Sequence, residues 1–103
     1  MKLTVRIGGG FAGIVAVIAV DSSTLPSDQA QDLAAEVDRA GLRSLAPPEP
    51  ARQRADAQLY ELSLREGEDH LDLHFTDESM PPDVEELVHW VRQCPGRIES
   101  LEQ

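Results

Sequence analysis

Three histidines, one cysteine and several paired acids are the residues of this chain whose chemistry could support catalysis or metal binding. His70 and His74 stand four apart, a spacing that sets two imidazoles side by side on a helix. Their surroundings read as a strand instead, because Leu71, Leu73 and Phe75 alternate with Asp72, His74 and Thr76. On a strand rising about 3.3 Å per residue, such positions lie about 13 Å apart, too far to share one zinc. His89 falls in a helical pattern and no cysteine pair exists, so the expectation is three surface histidines, no metal and no cofactor. Cys94 excludes an internal disulfide framework and reads as a small apolar residue near a helix end. No serine, cysteine or threonine sits in a nucleophile turn. Glu66-Gly67-Glu68-Asp69 reads as a solvated turn without the alternating spacing of a calcium loop, and Asp83-Val84-Glu85-Glu86 as the acidic start of a helix. These residues do not describe an enzyme, and no catalytic residue is assigned.

The more specific chemistry belongs to Gly8, Gly9, Gly10, Phe11, Ala12 and Gly13, which place four glycines and one aromatic between two β-branched segments. The letters satisfy Gly-x-Gly-x-x-Gly, but a dinucleotide fingerprint needs a buried strand before the glycines, a helix after them and an acid about 20 positions on. Here Lys2 to Ile7 alternates polar with apolar, and Ile14 to Val20 is short and β-branched, ending at Asp21. Residues 2 to 20 therefore read as a β-hairpin. Two uses of its tip stay open: a plug for another protein's cleft, with Phe11 as the anchor, or a merely pliant turn with Phe11 folded back on the sheet edge.

Size and charge narrow the partners. The 103 residues suffice for one domain with a modest core. With 9 Lys+Arg against 19 Asp+Glu, the net charge is -10 and the isoelectric point near 4.5. Such a field repels phosphates and anionic membrane surfaces, so neither nucleic acid nor membrane is expected as a partner. An acidic interaction module, or a nucleic-acid mimic competing for a basic groove, is the alternative from another class. Its acids should form phosphate-like rows, whereas these are scattered over helices, turns and strands. Met1 to Ala19 partly imitates a secretory leader, but the glycines interrupt its apolar run and cleavage would remove the hairpin, so a cytoplasmic location is expected. No stretch approaches the roughly 18 apolar residues of a membrane span.

The elements that must position the tip follow from periodicity. Pro26 and Asp28 mark a helix start, Ala30, Leu33, Ala34, Val37 and Ala40 form one face, and Gly41 supplies the stop. Leu42 to Ala57, with Pro47-Pro48-Glu49-Pro50, reads as irregular, with Leu42 and Leu45 tucked under the sheet edge. Tyr60, Leu62 and Leu64 alternate with Glu61, Ser63 and Arg65, pairing through the Glu66–Asp69 turn with the strand around Leu73. Met80-Pro81-Pro82-Asp83 opens a second helix with Val84, Leu87, Val88 and Val91 on its apolar face and Trp90 and Cys94 at the flank, ended by Pro95-Gly96. The expected fold class is α+β: a four-stranded, mostly antiparallel sheet with two helices on one face, in the order ββαββα. One domain covers 1–96, and 97–103 is a polar, fraying tail. The uncovered face would carry Lys2, Thr4, Arg6, Glu61, Ser63, Arg65, Asp72 and His74.

Gly9-Gly10-Phe11-Ala12-Gly13-Ile14, then a strand, an acid, Leu25-Pro26 and an Ala/Leu/Glu-rich helix, resembles the emfourin family. So do Tyr60-Glu61-Leu62-Ser63-Leu64, Phe75-Thr76-Asp77, Met80-Pro81 and Leu87-Val88-His89-Trp90. The resemblance spans about residues 2 to 93, with Gly-Gly-Phe-Ala-Gly its sharpest element and no counterpart for Pro47 to Arg54. Emfourins are small protein inhibitors of protealysin-like metallopeptidases of the thermolysin family. What the resemblance implies is a protease partner; given one, Gly10-Phe11 reads as a substrate-like pair with Phe11 offered to the primed-side pocket, and residues 8 to 13 are expected to enter the cleft with Phe11 as the anchor. It leaves the individual protease and the oligomeric state open.

Overall fold

In a computed structural model, which describes residues 1–9, 15–42, 58–76 and 79–102, apolar periodicity becomes layers. The chain runs β1 (Lys2–Gly9), β2 (Val15–Asp21), α1 (Ser27–Ala40), β3 (Gln58–Glu66), β4 (Asp69–Thr76), α2 (Pro82–Gln93) and β5 (Ile98–Glu102). The five strands form one sheet in the order β4-β3-β1-β2-β5, with every neighbouring pair antiparallel. Because side chains alternate across a strand, the register sorts whole cross-strand rows to one face or the other. Leu73, Leu62, Val5 and Ile18 share one inward row, and Leu71, Leu64, Leu3 and Val20 the next.

Both helices cover that inward face. Leu33 and Val37 of α1 and Val84, Leu87, Val88 and Val91 of α2 join the strand residues in one buried cluster. Three-and-four spacing aligns each set along one side of its helix. Gly41 ends α1 in the left-handed conformation, φ 65°, with its N–H directed to the carbonyls of Val37 and Asp38. Gly67, at φ 61°, opens the two-residue turn enclosed by the Glu66–Asp69 pair, where a side chain would be strained. Leu42 is buried as expected; Leu45 lies outside the described residues. Cys94 is buried at the end of α2, near Gln29 of α1, and Trp90 packs partly against the core.

The expected four strands become five, and the order becomes ββαββαβ. Residues 98–102, expected to fray, pair instead with β2, from Ala19 opposite Ile98 to Val15 opposite Glu102. Without them the backbone groups along that side of β2 would end the sheet unpaired. Main-chain pairing to a ready edge can recruit a segment whose own composition is a poor strand signal.

Candidate functional site

The hairpin that carries the glycine-rich element occupies the middle of the sheet. β1 lies between β3 and β2, and β2 between β1 and β5, so each arm is hydrogen-bonded on both sides. Gly8 and Gly9 are extended strand residues, paired with Leu59 and Gln58 of β3. Their φ values are not positive, so sharp turning does not explain them. At Gly8 the reason is proximity: a Cβ there would stand 3.0 Å from Cγ2 of Val15, tighter than ordinary contact. The remaining predicted residues, Gly10, Phe11, Ala12 and Gly13, lie outside the described residues.

Behind the final Gly9–Gln58 pair, where the hairpin leaves the sheet, lie two cross-strand rows. The first contains Thr76, Leu59 and Gly8, with Val15 and Glu102 beyond; the second contains Phe75, Tyr60, Ile7, Ala16 and Leu101. Glu102 is the one ionisable acid or base of the carboxylate, amine or imidazole kind in these rows. Two of the three exposed large apolar residues among those described sit here, Leu59 at 39 % and Leu101 at 73 %. Neither is among the residues that the sequence singles out. For Leu59 a signal existed, since an apolar residue occupies a phase that is otherwise Glu61, Ser63 and Arg65. Leu101 gave none, because its segment did not read as a strand.

One row further from the exit the charges begin. Arg6 pairs with Glu61 at 3.5 Å, and His74 Nε2 lies 3.5 Å from the other carboxylate oxygen. Beyond them Ser63 Oγ donates to Asp72 Oδ1 at 2.7 Å, which also faces His70 Nε2 at 3.1 Å. The Ser63 hydrogen bond, joined by the neighbouring His70, holds the Asp72 carboxyl below its usual value. Lys2, Thr4 and Arg65 complete an open polar hollow of about 340 Å³. The uncovered face is thus the mixed-sign surface expected from the sequence. His70 and His74 each face a separate carboxylate, and no group of three metal-ligating side chains is brought together among the described residues. A second open groove, about 610 Å³, runs beside Trp90 and Arg39. No described helix is long and apolar enough to cross a membrane.

The family model for Emfourin matches residues 5–92, which take in β1 from Val5 onward, β2, α1, β3, β4 and α2 up to Arg92. The chain belongs to the Emfourin family. Comparison with curated proteins and with solved structures gives no match. Emfourin is an inhibitor family, so membership implies a protease as partner and agrees with a metallopeptidase-inhibitor role. The fifth strand lies beyond the matched span, so the edge that Leu101 occupies is described by this chain's own structure.

Proposed function

We propose that this protein inhibits a thermolysin-like, protealysin-type zinc metallopeptidase by placing the tip of the β1–β2 hairpin in the active-site cleft. The observation that carries this reading is the Emfourin match over residues 5–92, a span that includes the tip itself. The mounting of the hairpin supports it: both arms are interior strands, so the tip is presented on a stiff base with little entropy left to lose at its root.

Enzymes of that class use a metal-bound water to attack the peptide bond. Gly10-Phe11 resembles the bond they favour, a small residue before a large apolar one, and Phe11 is assigned to the primed-side pocket. Gly8 to Gly13 form the contact segment, the missing side chains of its four glycines allowing close main-chain approach. Inhibition rather than turnover requires that the bound peptide be held away from the attack geometry, or that the cleft be filled without presenting it to the metal. The protein supplies no catalytic group. The mixed signs of the uncovered face, with Lys2, Arg6 and Arg65 among the acids, do not form the rows of negative charge a nucleic-acid mimic needs.

The test is a titration of purified protein against a panel of thermolysin-family peptidases and unrelated proteases. Stoichiometric loss of activity in the thermolysin family alone is expected. Phe11→Ala and Gly10→Val should each weaken inhibition, and unchanged potency in both would remove the tip from the mechanism.

A further inference from the structure

We infer that Leu59 and Leu101 are two apolar shoulders that seat on the rims of the peptidase cleft when the hairpin tip enters it. The inference rests on the inhibitor reading and extends it beyond the tip. A specific protein complex buries about 800 Å² on each partner, over about 20–30 residues a side. Six residues, four of them glycine, cannot supply that area. Neighbouring surface has to contribute.

The register says which surface is close enough. Leu59 stands opposite Gly8, and Leu101 opposite Ala16, in the two rows just behind the final Gly9–Gln58 pair from which the hairpin departs. Alternation puts them on opposite faces of the sheet, so they flank the exit from either side. At 39 % and 73 % exposure they offer apolar surface that no described element covers. Among the described residues, the two rows that hold Leu59 and Leu101 contain one Asp, Glu, Lys or Arg, Glu102, while Arg6 and Glu61 begin the charged surface one row away. Depletion of charge around exposed apolar side chains is the composition of an interface centre. The partner that fits is a groove with apolar walls, as expected of a peptidase that selects large apolar residues.

The third exposed apolar residue provides an internal control. Ile98 is 66 % exposed and lies on the same edge strand as Leu101, but pairs with Ala19, three positions further from the exit. The experiment measures inhibition and dissociation rate against whichever thermolysin-family peptidase the wild-type protein inhibits most tightly, for Leu59→Ser, Leu101→Ser, the double variant and Ile98→Ser. Potency is counted per folded molecule. Each shoulder substitution should weaken inhibition about tenfold, through faster dissociation, with Ile98→Ser unchanged. Unchanged potency in Leu59→Ser and Leu101→Ser, with wild-type inhibition intact, overturns the shoulders and leaves the inhibitor reading standing. Wild-type protein that inhibits no member of the panel overturns both. A dimer in sedimentation that Leu101→Ser dissolves without loss of inhibition would assign that edge to a second copy, and also overturns the proposal.

Discussion

Gly96 lies against Leu25 so closely that a methyl group on its Cα would overlap the leucine Cδ2. The contact ties the turn after α2 to the segment leading into α1, and Leu25 itself is buried. Gly96 itself is exposed and the overlapping atom is the far end of a side chain, so Gly96→Ala should destabilise the fold by about 1 kcal/mol, the low end of the range for overfilling a packed site. Urea denaturation measures it. Adding the same alanine to a Leu25→Ala background should cost less, because the overlapping atoms are gone.

Leu33 and Leu87 are fully buried, one from each helix, in the layer that backs the hairpin. Leu33→Ala or Leu87→Ala should each cost about 2–5 kcal/mol through lost burial and the cavity left behind. A lowered denaturation midpoint with unchanged inhibition per folded molecule would separate the scaffold from the binding surface.

Asp72 links ionisation to stability. Its carboxyl is held below the ordinary value of 3.8 by the Ser63 hydrogen bond and then by His70, and Asp21 is held low by the backbone and side chain of Ser23. A depressed folded-state value means stabilisation that is complete above 3.8 and is lost as pH falls through the lower folded value. Ser63→Ala should therefore reduce the difference between the melting temperatures at neutral pH and below 3.8. An unaltered acid limb of the stability profile would show that the pair contributes nothing.

Arg39 of α1 reaches Glu86 at 2.7 Å and Asp83 at 3.6 Å on α2, besides pairing with Glu36 on its own helix. These groups are solvent-accessible, so their sum is small despite the number of partners. Arg39→Ala should lower stability only slightly, and the loss should shrink further at high salt. Thermal melts at two ionic strengths would register it.

Most of the architecture was legible where one period dominates. The three-and-four spacing of Leu33 and Val37, closed by Gly41, specified α1, and the alternation around Leu62, Leu73 and Gly67 specified the β3–β4 hairpin. β5 was not legible because Ile98 and Leu101 fall three apart, out of phase with a strand, and the polar Glu99 and Ser100 separate them. Their conformation is decided by the pairing partner across the gap. For the same reason the tip residues could be picked out by composition, while Leu101 could not and Leu59 showed only as an apolar residue in an otherwise polar phase. Their nearness to the tip exists only once Gly8 is set opposite Leu59 and Ala16 opposite Leu101.

The placement of β1 and β2 has a consequence for damage. A chain severed between Gly9 and Val15 would leave two new ends, each still laced by main-chain hydrogen bonds to a neighbour that was not cut: β3 on one flank, β5 on the other. Neither fragment end could swing away without unzipping a further strand. β1 and β2 would remain side by side in the sheet.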